Sequence, residues 1–157
     1  MHFEAQRGEY VVSTDPARLD AAAIRDYLAR SYWAREIPLE VVRRSLAHSL
    51  CFGLYRRPSA DGTAGGEAQV GLARVISDFA TFAYLCDVYV LEAHRGRGLS
   101  KWLVEAVLAH PDLRGLRRFC LATLDAHGLY ARYGFQVTAH PDRWMEIIHS
   151  NPYSSVE

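Results

Sequence analysis

The sequence predicts a single α/β domain built on one mixed sheet, and three stretches predict it. Residues 81–91 are a largely apolar run ending in Val88-Tyr89-Val90-Leu91, side chains that favour a buried strand. Arg95-Gly96-Arg97-Gly98 cannot prolong that strand, because two glycines in four residues favour a bent backbone with left-handed positions. Beyond the turn the period changes: Leu99, Trp102, Leu103, Ala106 and Val107 share a helical face, broadened by Val104 and Leu108, as far as about His110. The next strand pattern, at 119–123, is reached through this helical crossover and must lie parallel to the strand at Val90. Upstream, strands at 50–55, 69–76 and 81–91 are joined by a loop and a short turn, which gives consecutive antiparallel hairpins. The expected sheet is therefore mostly antiparallel, with one parallel pair, and helices flank it.

The remaining elements follow in order. Residues 9–13 (Glu-Tyr-Val-Val-Ser) read as a first strand ended by Thr14-Asp15-Pro16. Asp20 can cap a helix whose face carries Ile24, Tyr27, Leu28 and Ser31. Tyr32-Trp33-Ala34-Arg35-Glu36 breaks that pattern, and Pro38 suits the first turn of a second helix with Leu39, Val42, Leu46 and Ser49 aligned. Residues 57–68, rich in Gly, Ser, Asp and Ala, form a loop, and Ser77-Asp78 a turn. Pro111-Asp112 stops the crossover helix, and 129–133 is a short helix closed by Gly134. Two further strands are expected at 136–139 and 144–148.

Composition narrows the class. A chain of 157 residues is one domain, 1–157, long enough to bury a core. No apolar run approaches the roughly 18–20 residues that span a bilayer, so no membrane association is expected. The first residues, Met-His-Phe-Glu-Ala-Gln-Arg, lack the apolar segment of a signal peptide. Eighteen basic residues balance eighteen acidic ones, which leaves no overall field to attract nucleic acid. Cys51, Cys86 and Cys120 sit inside strand-like runs, as buried reduced thiols do. The absence of Cys-x-x-Cys or His-x-x-x-His spacing argues against a metal. A reduced, cytoplasmic enzyme is the simplest class consistent with these features.

The glycine turn between a strand and a helix is a phosphate cradle, since the helix N-terminus offers unpaired N–H groups and the positive end of its dipole. A nucleotide P-loop needs Lys-Ser/Thr after its last glycine, but Leu99-Ser100-Lys101 follows Gly98; a dinucleotide fingerprint needs glycine where Lys101 stands. The spacing Arg-x-x-Gly-x-Gly/Ala, filled by Arg95, Gly98 and Ser100, resembles the pyrophosphate loop of the GNAT superfamily of acetyl-CoA-dependent N-acetyltransferases. Ser100 departs from the usual Gly or Ala but is small. A second stretch, Tyr130-x-x-x-Gly134-Phe135, is similar to the family's later motif and stands in the family's order. The resemblance covers residues 82–137 at the level of motifs and most of the chain at the level of fold.

The resemblance implies a GNAT fold whose parallel strands splay to admit coenzyme A, with acetyl-CoA as co-substrate. Val88, Tyr89 and Val90 would line the pantetheine arm through their backbone, and Arg95, Gly96, Arg97, Gly98, Leu99 and Ser100 would hold the pyrophosphate. Tyr130 would meet the thiolate as acid or hydrogen-bond donor, while Tyr133 falls at a packing position. For the base, Asp87 stands out as a carboxylate inside an apolar run, costly to bury without partner or purpose. Asp125 and His127 lie near the expected cleft, and Asp125 could equally cap the short helix. Tyr32 and Trp33, with Arg74, are acceptor-pocket candidates; the aromatics could equally close the helix pair. The expected reaction is acetyl transfer to the primary amine of a small or amino-acid-like molecule. A protein or peptide amine, an aminoacyl-tRNA and a non-catalytic acyl-CoA-binding module are the alternatives. A homodimer through the C-terminal strands is compatible with the pattern.

Overall fold

The structure is a computed structural model that describes residues 1–63, 65–150 and 152–153. Position 64 of the expected 57–68 loop lies outside them. The elements run β1 (Glu4–Arg7), β2 (Tyr10–Ser13), α1 (Ala21–Leu28), α2 (Leu39–Ala47), β3 (Leu50–Arg56), β4 (Ala68–Ser77), β5 (Phe82–Val90), α3 (Leu99–Ala109), β6 (Arg118–Leu121) and α4 (His127–Ala131). All six strands form one sheet in sequence order. β1 to β5 pair antiparallel and β5 with β6 parallel, as the helical crossover requires.

Strand alternation divides the core into two layers. On one face Phe52, Leu54, Val75 and Leu85 meet Leu103, Val104 and Val107 of α3. On the other, Cys51, Leu72 and Tyr89 meet Ile24 and Leu28 of α1 and Val42 of α2. The Asp20 carboxylate accepts the Ala23 N–H at 2.9 Å, so α1 starts at its expected cap. No helix among the described residues is long and apolar enough to cross a membrane.

Two expectations change. β1 joins the sheet although Glu4-Ala-Gln-Arg carries no apolar alternation; it is largely exposed and held by its pairing with β2. Conversely, the strands expected at 136–139 and 144–148 do not form. Those residues are exposed, and only a short 3₁₀ turn, Pro141–Arg143, interrupts them. Alternation supplies a face to bury but no backbone partner, and β6, the strand they would extend, is paired only with β5.

Candidate active site

The site begins with a defect in β5. Leu72 pairs with Tyr89, yet Arg74 pairs with Cys86, so β5 carries one more residue than β4 across this interval. The extra residue is accommodated at Asp87, whose φ of 50° is left-handed. Short polar side chains tolerate that region better than most, which suits aspartate to this position. Pairing of β5 with β6 stops just short of the bulge, at Leu85 opposite Leu121. β6 itself ends at Leu121, so no described strand pairs with residues 87–90 on that side. A segment of extended chemistry could add there as a strand would.

The glycine turn expected to cradle phosphate lies at the end of that edge. Gly96 and Gly98 have φ of 77° and 74°, and a Cβ at either would meet nothing within 4 Å; conformation requires glycine there. Gly98 caps α3, and the N–H groups of Leu99, Ser100 and Lys101 occupy its first turn, where no carbonyl of the helix can reach them. Together with Val90, Arg95 and Leu129 they bound a cavity of about 450 Å³. Arg95 donates to the Val90 carbonyl at 2.9 Å and to the Tyr27 hydroxyl at 3.2 Å, bracing the loop against β5 and α1. Tyr27 in turn stacks on Tyr89 at 3.8 Å. Arg97 and Lys101 are exposed. A bent loop with N–H groups at a helix start, exposed cations and an adjoining strand edge fits a pyrophosphate followed by an extended arm.

Tyr130, in α4, is buried and packs edge-on against Phe135, ring centres 5.9 Å apart. Burial raises its phenol above the ordinary value, and the neighbouring Tyr32 phenol adds to the rise. The hydroxyl therefore stays protonated at neutral pH and can donate. Tyr133 is turned away: its hydroxyl donates to Glu105 on α3 at 3.0 Å.

Across the bulge lies a polar cluster that the sequence suggests only in pieces. Asp87 accepts from Arg74 Nε at 2.7 Å and from the Trp33 indole N–H at 2.9 Å. The side chains of Arg74 and Asp87 are only 14% and 8% exposed, and Arg74 also donates to the Ser49 hydroxyl at 3.0 Å. Trp33 packs edge-on against Tyr32 at 5.1 Å. The Tyr32 hydroxyl accepts the Leu124 N–H at 3.3 Å, linking the α1–α2 connection to the loop after β6. Tyr32, Trp33, Arg74 and Asp87 thus meet in one place, with Tyr32 and Trp33 partly open to solvent. Asp125 and His127 are exposed, and His127 lines the groove that Tyr130 also lines. Asp125 does not cap α4; the Thr123 hydroxyl accepts the Ala126 N–H at 3.0 Å instead. Sequence reasoning passed over Ser49 and Leu124, because a hydroxyl at a helix end and a loop amide carry no motif.

Comparison with known proteins agrees with this geometry. The family described as acetyltransferase (GNAT) domain matches residues 59–137. A Gibberella zeae protein assigned as an acetyltransferase is 39% identical over 140 residues, covering 80% of this chain and 78% of that protein. A crystal structure from Xanthomonas campestris pv. campestris, of a protein assigned as a GNAT-family acetyltransferase, superposes with a TM-score of 0.82. It is 54% identical, covering 93% of this chain and 97% of that one. A GNAT acetyltransferase from Elizabethkingia anophelis, solved with acetyl-CoA bound, shares the fold at a TM-score of 0.59 and 14% identity, covering 92% and 91% of the two chains. With the parallel β5–β6 pair, the glycine turn before α3 and these matches together, the chain belongs to the GNAT acetyltransferase family.

Proposed function

We propose that this protein transfers an acetyl group from acetyl-CoA to the primary amine of a small or amino-acid-like acceptor, with both substrates bound at once. The observation that carries the reading is the cavity at the start of α3, bounded also by Val90 at the end of β5 and by Leu129, the residue before the buried Tyr130. The Elizabethkingia anophelis structure, which holds acetyl-CoA, supports the choice of donor. Acetyl-CoA, when bound, supplies an activated thioester carbonyl.

The chain's own residues do the rest. Loop residues 95–100 hold the pyrophosphate through backbone N–H groups, with Arg97 and Lys101 adding charge. The backbone of Val88, Tyr89 and Val90 receives the extended arm, and a β5 N–H polarises the carbonyl, a contact worth about 2.7–4 kcal/mol in the transition state. Tyr130 donates its proton to the departing sulfur. On the acceptor side, an ionised carboxylate has roughly four lone-pair sites. Asp87 uses one for Arg74 and one for Trp33, which leaves capacity to draw in an ammonium and take its proton. Tyr32 and Trp33 offer ring faces to the same cation, while Asp125 and His127 border the entrance.

The test is release of free thiol from acetyl-CoA against a panel of small amines, amino acids, polyamines and peptides. Release with small amines or amino acids is the expected result. Release with peptides alone would replace the acceptor class, and binding of acetyl-CoA without release across the panel would favour a non-catalytic module.

A further inference from the structure

The sheet face that meets α1 and α2 is not covered along its whole length. The helices pack on Cys51, Leu72 and Tyr89. Farther along β4 and β5, Ala73, Val75, Ala83 and Leu85 belong to the α3 layer. Strand alternation therefore turns Arg74, Ile76, Phe82 and Tyr84 to the α1–α2 face. Ile76 and Phe82 are 44% and 36% exposed, and Tyr84 is half-buried.

Register makes these side chains a floor. Ile76 pairs with Tyr84, and Tyr84 with Cys120 of β6, in one row across three strands. The neighbouring row holds Arg74 opposite Cys86, and Asp87 reaches the same face to bond Arg74. Two residues along a strand span about 6.6 Å, so the apolar floor begins one side-chain row from the ion pair. Burial raises the Tyr84 phenol, Cys86 and Asp87 add to the rise, and Arg74 opposes it; the ring stands within electrostatic reach of that pair. Trp33, bonded to Asp87, and Tyr32 are the aromatic walls.

We propose that this floor receives the body of the acceptor, which is a primary amine carrying an aromatic or branched apolar group a few bonds from its nitrogen. The inference rests on the acetyl-transfer reading above and adds the chemistry of the acceptor's far end. The ammonium goes to Asp87, and the apolar group lies on Tyr84 and Ile76. Charge selects this occupant over a diamine. Asp78, at the hairpin tip, commits its carboxylate to the Thr81 hydroxyl and to the N–H groups of Ala80 and Phe82. Beyond Phe82 the next charged group is a cation, Arg118, paired opposite it. A second ammonium thus gains little along the floor, whereas a ring finds Tyr84 below it and Tyr32 and Trp33 beside it.

Binding of phenylethylamine, isopentylamine, ethylamine and putrescine to the full chain is measured by calorimetry with coenzyme A present. The same four amines are then assayed for thiol release from acetyl-CoA. At about fourfold per buried methylene, the two apolar amines should bind at least about tenfold more tightly than ethylamine or putrescine. Ile76→Thr/Phe82→Thr, at exposed strand positions where threonine is at home, should bring the ratio of phenylethylamine to ethylamine affinity below about threefold. Tyr84→Ser, made separately, should move that ratio the same way, with circular dichroism unchanged in both. Equal binding of the four amines, or no binding of any, would overturn the inference. So would a preference that survives both variants. Thiol release without the preference would leave acetyl transfer standing and remove the floor; the preference without thiol release would do the reverse.

Discussion

Replacing Arg74 by methionine tests the polar cluster most directly. Methionine keeps the length of the side chain and removes its charge, leaving Asp87 largely buried with the Trp33 indole as its remaining side-chain donor. Removing one partner of a buried ion pair costs about 3–5 kcal/mol, because the other charge loses its compensation. For a chain of this size each kcal/mol lowers Tm by about 2–4 °C, so the expected fall is roughly 6–20 °C. Asp87→Asn alone strands the guanidinium and should cost a similar amount. The double variant Arg74→Met/Asp87→Asn should lose less than either single change: asparagine also tolerates a φ of 50°, and its carbonyl can still accept from Trp33. Urea unfolding of the four proteins at neutral pH gives the coupling energy without reference to activity. A loss below about 1 kcal/mol for Arg74→Met would refute the reasoning, since that is the range of solvent-screened surface pairs.

Four other outcomes follow from the geometry. Tyr130→Phe should lower kcat by about 10²–10⁴ while acetyl-CoA affinity stays nearly unchanged, as measured by thiol release and calorimetry. Because burial, and secondarily Tyr32, raise the Tyr130 phenol, its protonated form persists above the usual value near 10. Any alkaline loss of kcat from this group must therefore fall above about pH 10, and a loss at lower pH that Tyr130→Phe abolishes would contradict the assignment. Gly98→Ala should cost about 1–2 kcal/mol through its left-handed φ and weaken acetyl-CoA binding, read by titration and thermal unfolding. Gly53→Ala, remote from the cradle, should destabilise the fold by about 1–3 kcal/mol, because the new methyl would collide with the Tyr55 ring.

Much of the sheet was legible because the signals that specify it are local. Apolar runs of strand length, the glycine turn before α3 and the proline after it each act within a few residues, and the parallel β5–β6 pair follows from the crossover. β1 and the C-terminal segment were misread for opposite reasons. Glu4-Ala-Gln-Arg owes its strand to the free edge of β2, which no pattern within those four residues announces. Trp144-Met-Glu-Ile-Ile has the side chains of a strand and lacks a backbone partner in its own chain. Composition reports what a segment can bury; pairing depends on which edge is available.

The same division runs through the site. The cradle was legible because its chemistry sits in consecutive residues: two glycines, two arginines and a helix start. The polar cluster is assembled from positions 32, 33, 49, 74, 87 and 124, which only folding brings together. Asp87 shows why the carboxylate alone was insufficient information. Inside an apolar run it announces a cost, and the cost has two classes of remedy, an ion pair or a function. The structure contains the ion pair, yet a counter-ion elsewhere in the sheet would have met that need without a bulge. What the ion pair does not require is the extra residue that turns Asp87 to φ 50°, just beyond the last pairing of β5 with β6. A left-handed, non-glycine residue in a central strand is a strained conformation that the surrounding structure must hold in place. Here the Arg74 and Trp33 bonds hold it, beside the β5 edge that β6 leaves uncovered. On the function proposed above, loosening the polar cluster by Arg74→Met should reduce acetyl-CoA affinity at the glycine turn, although Arg74 does not line that cavity. An unchanged affinity in a folded Arg74→Met protein would separate them.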